Sequence, residues 1–324
     1  AEGAAAVHAE QGAVVGRVEL TPVQRWFFAQ EPEDAHHFNQ SFLLDVRGAD
    51  AVGALDQLEE ALRRLVAHHD ALRLRFRRTP DGWTQESLET DPAFRLERVD
   101  LSHLEGEQRR AALEAECEAA QAGLDVERGP LLRALHFRLG EDGGERLLLV
   151  VHHLAVDGVS WRILLEDLET AWRQLGRGEA VELGPKSTSY RRWAERLRGH
   201  AGSEALRAEA GYWAGVGREA RALPRVGAGE NRVGSLSSVV VVLGEEETRA
   251  LLTEVPAAYR TQINDLLLAP LVEAFHRWTG DRTLLLELEG HGREDLFEDV
   301  DLSRTVGWFT SIYPVELERV DGGP

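Results

Sequence analysis

The sequence predicts an α/β protein built from two halves, and three observations support this. Amphipathic helical patterns alternate with short apolar strand patterns along the chain. The 324 residues suffice for one large or two medium domains. A glycine-rich stretch that ends in small polar residues, 176–189, is typical of a linker. We therefore expect one half over residues 1–180 and another over 181–324.

The composition argues against several classes of protein. With 43% hydrophobic and 29% charged residues, the chain is typical of a folded globular protein. The net charge of −19 argues against nucleic acid or an anionic membrane as a partner. No segment approaches the roughly twenty apolar residues that span a bilayer, and the first residues lack a signal-peptide pattern, so we expect a cytoplasmic protein. Cys117 is the single cysteine, which rules out an intramolecular disulfide and a thiolate metal cluster.

The first half shows helix and strand patterns in alternation. Thr21 as N-cap with Pro22 at the first helical position predicts a short helix. A strand is predicted over FNQSFLLDV, an amphipathic helix from Asp50 with Val52 on its apolar face, and a strand over LRLRF before a Pro-Asp-Gly turn. Ser102 and Glu105 predict a capping box for the helix that carries Cys117.

A hairpin is predicted next, because two apolar stretches, 131–139 and 146–154, flank a glycine turn. Its second strand is apolar on successive residues, which predicts burial on both faces. The second half should contain helices over 187–197, 204–216, 245–255 and 261–278, with a kink at Pro270. It should also contain strands over SLSSVVVVL and TLLLELEG, of which the second is expected to be buried.

The stretch HHLAVDGVSW, residues 152–161, lies at a predicted corner between a strand and a helix. A strand places His152 and His153 on opposite faces, so one of them points into a given cleft. That histidine would be a general base near neutral pH, and Asp157 would position it by pairing with an arginine. A satisfied core histidine is the alternative for a bare pair, but the complete HHxxxDG pattern at such a corner favours the functional interpretation.

Other chemistry has weaker support. The pairs His36-His37 and His68-His69 lack the xxxDG continuation, and no HExxH spacing predicts zinc, so we expect no metal site. Glu289 in EGHGRE, at the end of a strand and before two glycines, is a candidate acid or base, with a solvated loop as the alternative. No GxSxG elbow is present, and Ser160 falls in the first turn of a predicted helix. Neither Walker A nor GxGxxG occurs, so nucleotide cofactors have no support.

These motifs together resemble the condensation and epimerization domains of nonribosomal peptide synthetases. The stretches that carry the resemblance are LTPVQRWFF, HHFNQSFLL, HDALRLRF, HHLAVDGVSWRILLEDL, YRTQINDLLL, EGHGRE and DLSRTVGWFTSIYPV. HHxxxDG marks the superfamily, whereas GVSW, EGHGRE and TVGWFTS point to the epimerization branch. The resemblance implies a chloramphenicol acetyltransferase-like fold, in which two subdomains form a V-shaped pseudo-dimer with the active site in a tunnel between them.

The resemblance also implies site residues. His153 corresponds to the family's active-site histidine and Glu289 to its catalytic glutamate. Asp157 corresponds to a structural residue of the family, and Arg73 is its expected salt-bridge partner. His152 and Gly158 are expected to be positioning residues. The residues predicted to line the cleft are Ser160, Trp161, His291, Arg293 and Asn264.

The activity that the resemblance implies is epimerization of an aminoacyl or peptidyl thioester on a carrier protein's phosphopantetheine arm, with no cofactor of the domain's own. The carrier protein is expected just before Ala1 in the same polypeptide, and the missing methionine favours a piece of a longer chain. Family members continue beyond residue 324, so we expect the second half to be truncated. Two alternative functions remain. One is a condensation domain, which the EGHGRE motif argues against, and the other is a non-catalytic module that docks a carrier protein.

Overall fold

The structure, a computed structural model, describes residues 7, 9–48, 53–218, 220–225, 227, 229 and 232–320. Its residues pack into two units. The first comprises Ala1–Arg207 with Gly290–Ser311, and the second Ala208–Glu289 with Ile312–Pro324. The boundary between these units differs from the one expected near residue 180. The segment after residue 180 hydrogen-bonds to the stretch 290–311 of the first unit, where the Thr188 N–H donates to the Asp301 carbonyl at 2.9 Å.

Both units contain α-helices and β-strands among the described residues. In chain order they are β1 (Gly16–Val18), α1 (Pro22–Ala29), β2 (Asn39–Val46), α2 (Ala54–His68), β3 (Leu74–Thr79), β4 (Gly82–Ser87), β5 (Leu96–Asp100), α3 (Gly106–Gln121), β6 (Leu132–Arg138), β7 (Glu145–His152), α4 (Gly158–Gly176), α5 (Tyr190–Ala201), α6 (Glu204–Ala208), α7 (Ala210–Trp213), α8 (Glu245–Arg249), α9 (Val255–Tyr259), α10 (Ile263–Thr279), β8 (Thr283–Gly290) and β9 (Ser311–Glu318).

Two sheets form the centre of the first unit. One has the order β2-β7-β6-β5, in which β7 is antiparallel to both neighbours and β5 is parallel to β6. The other has the order β1-β4-β3. The predicted hairpin is confirmed as β6 and β7, and β7 is buried over its last six residues. In the register of β2 and β7, Asn39 lies opposite His152, so the start of β2 lies beside the HHxxxDG corner.

Helix starts were predicted with mixed success. α1 begins at Pro22 as expected, and Gln24 Oε1 accepts the N–H of the N-cap Thr21 at 3.0 Å. The capping box at Ser102 is wrong: α3 begins at Gly106, and Ser102 donates its N–H and hydroxyl to Asp100 instead. The predicted start of α2 at Asp50, with its apolar Val52, lies outside the described residues.

The second unit departs more from the predictions. SLSSVVVVL forms no described strand, and Val239–Val242 are exposed, because an apolar stretch becomes a strand only beside a partner. β8 pairs with β9, but its exposure alternates along the strand instead of showing burial on both faces. Pro270 lies inside α10, which continues to Thr279. No helix in the described part of the chain is long and apolar enough to cross a membrane.

Candidate active site

The HHxxxDG stretch forms the predicted corner between a buried strand and a helix. β7 ends at His152, one 3-10 turn spans His153–Ala155, and α4 begins at Gly158. Asp157 is the N-cap of α4, and its Oδ1 accepts the Ser160 N–H at 2.7 Å. This cap satisfies one of the orphan N–H groups of the first turn and thereby holds the corner.

His152 is a structural residue of this corner. Its side chain is fully buried, Nε2 donates to the Ala35 carbonyl at 2.9 Å, and Nδ1 accepts the Leu154 N–H. Burial lowers the pKa of His152 to about 4, since the charged ring would lose its hydration. The ring is therefore neutral at pH 7, and both of its nitrogens are occupied by backbone groups.

His153 is half-buried, and two aromatic rings pack against its imidazole. It stacks on Phe38 with 5.0 Å between ring centroids, and Trp308 lies 4.6 Å away. Its Nδ1 lies 2.8 Å from the Val156 carbonyl, which can only accept, so Nδ1 carries a proton. In the neutral ring Nε2 then holds the lone pair, which is the form that a general base requires.

The Nε2 atom of His153 faces one side chain of β2. Gln40 Nε2 lies 3.0 Å from it, and Gln40 Oε1 accepts the indole N–H of Trp161 at 2.8 Å. Trp161 is buried and packs edge-on against Phe42. The tryptophan of GVSW, which was predicted to line the cleft, thus holds the Gln40 side chain that faces His153.

The salt-bridge partner of Asp157 is Arg293, and the predicted partner Arg73 is wrong. Arg293 Nη2 lies 3.2 and 3.4 Å from the two carboxylate oxygens, with side chains 8% and 7% exposed. Arg293 also donates to the carbonyls of Leu302 and Thr305 at 2.8 Å and lies over the Phe309 ring. The EGHGRE arginine therefore ties the later stretch of the chain to the HHxxxDG corner.

Arg73 is fully buried elsewhere in the first unit. It pairs with Asp70 at 2.6 Å and donates to the carbonyls of Val66, Ala67 and Leu88. These acceptors take four of the five guanidinium N–H groups, so Arg73 is committed to its own neighbourhood and forms no ion pair with Asp157 among the described residues. The role of Arg73 is to join the end of α2 to the first strand pair.

Hydrogen bonds from side chains at the start of α4 to the backbone on either side of Trp308 place its ring against His153. Ser160 Oγ donates to the Gly307 carbonyl at 2.9 Å and accepts the Gly307 N–H at 3.1 Å. The Phe309 N–H donates to Asp157 Oδ2 at 3.2 Å. Since these bonds hold residues on both sides of Trp308, its ring is fixed beside His153. Ser160, like Trp161, is thus buried in the first unit as a packing and hydrogen-bonding residue.

The remaining predicted site residues lie at exposed positions. Glu289 is exposed on β8, and Asn264 is exposed near the start of α10, both in the second unit. His291 is exposed, and its Nδ1 accepts the Arg293 N–H at 3.0 Å. Gly158 is exposed at the start of α4, where an added Cβ would meet no atom within 4 Å. The roles of these residues stay predictions.

Three contacts of His153 were not predicted individually: Phe38, Gln40 and Trp308. All lie inside stretches that carry the family resemblance, FNQS and TVGW. A usable signal was the polar pair Asn39-Gln40 at the start of a strand whose centre is apolar. That pair becomes meaningful only once β2 is known to be the neighbour of β7.

Among the residues that the structure describes, one group of side chains has atoms close enough to hold a metal ion. The ligand atoms of His68, His69 and Asp167 lie within 4.8 Å of one another. However, Asp167 already pairs with His69 at 2.9 Å and with Arg304, and Lys186 opposes a positive charge at both histidines. The arrangement fits a buried ion-pair cluster better than a cation site.

Comparison with known proteins identifies the family. The condensation-domain profile matches residues 14–322. The chain is 50% identical over 312 residues to one of the linear gramicidin synthase proteins of Brevibacillus parabrevis, and 46% identical over 322 residues to chondramide synthase cmdD of Chondromyces crocatus. These matches cover 95% and 98% of the chain but 4% and 8% of those proteins, so the chain spans a small part of its relatives' length.

Solved structures agree with this result and confirm the chloramphenicol acetyltransferase-like fold. The epimerization domain from the third module of tyrocidine synthetase B superposes with a TM-score of 0.80 at 33% identity, over 96% of this chain and 70% of that one. The first condensation domain of the calcium-dependent antibiotic synthetase superposes with a TM-score of 0.70 at 23% identity, over 95% and 70%. The second likeness concerns the fold alone, whereas the first confirms the resemblance to epimerization domains.

Proposed function

We infer the function from family membership: the chain belongs to the condensation-domain family. We propose that it is an isomerase of nonribosomal peptide synthesis. Its substrate is an aminoacyl or peptidyl thioester on the phosphopantetheine arm of a peptidyl carrier protein in the same parent polypeptide. The reaction equilibrates the L and D forms at the α-carbon. The observation that carries this choice is the 33% identity and TM-score of 0.80 to a solved epimerization domain.

The reaction needs one titratable group for each face of the α-carbon. His153 and Glu289 are the proposed pair. The first half of the reaction breaks the Cα–H bond, moves the proton to one of these side chains and leaves the electron pair in the thioester enolate. Return of a proton from the other group to the opposite face inverts the centre. His153 is suited to this role because Nδ1–H is held by Val156 and Nε2 carries the lone pair.

Exchange of the α-proton tests this proposal. A carrier protein loaded with an L-aminoacyl thioester is mixed with the chain in deuterated water, and deuterium uptake and the D to L ratio are followed. We expect exchange with racemisation, and a loss of about 100-fold or more in His153→Ala and in Glu289→Gln, which is the usual scale of general acid–base catalysis.

Two variants are matched controls. Glu287→Gln makes the same change two residues away on the same exposed face of β8, and His37→Ala removes an exposed histidine. Both should exchange at the parent rate. A folded chain that exchanges no α-proton would overturn the proposal, and equal losses in Glu287→Gln and Glu289→Gln would remove the role of Glu289.

Amide bond formation is the second candidate, because the matching family profile is described as a condensation domain. It requires two loaded carrier proteins and uses the same histidine. A dipeptide formed without α-proton exchange would establish it. If a folded chain yields neither product, a non-catalytic module that docks a carrier protein becomes the better description.

A further inference from the structure

A chain of two hydrogen bonds links Trp161 to His153 through the side chain of Gln40. The indole N–H can only donate, so the amide atom that faces it at 2.8 Å is Gln40 Oε1. The amide nitrogen is then the atom that faces His153 Nε2 at 3.0 Å. Because Trp161 is buried and held against Phe42, the indole determines which end of the amide meets the histidine.

The other nitrogen of the ring completes the arrangement. Nδ1–H donates to the Val156 carbonyl, so in the neutral ring Nε2 accepts from Gln40. All three hydrogen bonds are satisfied by one state of the histidine, the neutral ring protonated on Nδ1. If the ring were charged, its Nε2–H would face the amide N–H of Gln40, so that two donors would meet. If the amide turned to avoid this, its nitrogen would face the indole N–H of Trp161, and two donors would meet there instead.

We propose that Gln40 is a positioning residue for proton exchange, held by Trp161 so that Nε2 of His153 is kept as a proton acceptor. This inference rests on the proposed function, since it assumes that His153 exchanges the α-proton. Gln40 itself gains and loses no proton. When the Cα–H bond breaks, the proton passes to Nε2 and the electron pair to the enolate, so the amide must swing aside and return once the ring is neutral again.

The proposal explains why a tryptophan follows the HHxxxDG motif in this chain. A side chain of similar size without a donor at position 161 would pack in the same place but would leave the amide free to turn. The indole N–H is the part of Trp161 that acts on the chemistry, and it acts through Gln40 over a path of two hydrogen bonds.

Several other titratable groups lie near the His153 ring. His152 precedes it and is neutral, with its pKa lowered to about 4 by burial, and Asp157 follows it in its pair with Arg293. The segment before β2 carries Asp34 and His36, which act on His152. The side chains that contact the ring itself are uncharged at neutral pH, namely Phe38, Gln40 and Trp308.

The test is nitrogen-15 NMR of the imidazole rings in the intact chain, recorded from pH 5 to pH 9 beside the rate of α-proton exchange. The His153 signals are assigned by their absence in His153→Asn. We expect the Nδ1–H tautomer in the parent chain. In Gln40→Glu a carboxylate faces Nε2, so the protonated ring should persist about one pH unit or more higher, and the acidic limb of the rate profile should move with it.

Trp161→Phe keeps the ring packing and removes the donor, so the amide can present its oxygen to a charged ring. The acidic limb should then move in the same direction by a smaller amount. Gln108→Glu, which adds the same charge on the exposed surface of α3, should leave both readouts unchanged. Urea unfolding of each variant shows that the differences arise in folded chains.

Two results would overturn the inference. One is an Nε2–H tautomer in the parent chain, and the other is a Gln40→Glu chain that titrates and exchanges like Gln108→Glu. The proposed function fails differently: spectra as expected in a chain that exchanges no α-proton would remove the epimerase assignment and leave the tautomer and its cause in place.

Discussion

The buried pair between Asp157 and Arg293 yields a prediction about stability. Arg293→Met removes the charge and the fork of donors but keeps much of the apolar stem. Breaking a buried ion pair from one side costs about 3–5 kcal/mol, because the remaining charge is left unpaired. The Asp157 carboxylate keeps the N–H groups of Ser160 and Phe309. We therefore expect a loss at the lower end, about 3 kcal/mol.

The chain offers a control in a second arginine, which combines an ion pair with a contact over a phenylalanine ring at the surface. Arg196 pairs with Asp299 at 3.0 Å and lies over the Phe297 ring, but the two side chains of the pair are 38% and 24% exposed. Exposed pairs contribute about 0–1 kcal/mol, so Arg196→Met should lose much less than Arg293→Met. The difference between the two variants reports the burial of the Arg293 pair together with its bonds to the Leu302 and Thr305 carbonyls.

The assay is urea unfolding at pH 7, followed by tryptophan fluorescence and circular dichroism, with amide hydrogen exchange at Phe309 as a local readout. Arg293→Met should lower the midpoint and speed exchange at Phe309, since its acceptor Asp157 loses its partner. If Arg293→Met loses no more stability than Arg196→Met, the reasoning from burial is refuted.

Two further predictions concern the same region. Burial lowers the pKa of His152 from 6.5 to about 4, so the unfolded chain binds the proton more readily than the folded chain. The contribution of the neutral ring to the free energy of unfolding is therefore fully present above pH 6.5. It is lost as the pH falls towards 4, by up to about 3 kcal/mol. Urea unfolding at pH 7 and 4.5 should show a shallower pH dependence in His152→Asn, and equal slopes would contradict this. Gly292→Ala should lower the free energy of unfolding by about 1–3 kcal/mol more than Gly144→Ala. Both glycines have a left-handed φ, 66° and 65°, so the backbone strain of an alanine is similar at the two positions. The added Cβ meets another atom only at Gly292, where the Phe309 carbonyl oxygen would lie 1.7 Å away. Equal midpoints in thermal unfolding of the two variants would show that the loop yields to the extra carbon.

Most of the features that were predicted well are defined by residues that are neighbours in sequence. The corner at His153 and the start of α1 at Pro22 are of this kind. Such features follow from periodicity and from backbone groups that a nearby side chain can satisfy. The same reasoning failed at Ser102, where a nearby Asp100 competes for the hydroxyl.

The sequence by itself determined the α/β class, the strand-to-helix corner and the family to which these motifs belong. Only the tertiary structure decided that Asp157 pairs with Arg293 and that His153 meets Gln40, since these partners lie 136 and 113 positions apart. It also decided that Val239–Val242 form no described strand. Local periodicity predicts which face of an element is apolar, but which distant side chain meets that face depends on how the sheets and loops pack.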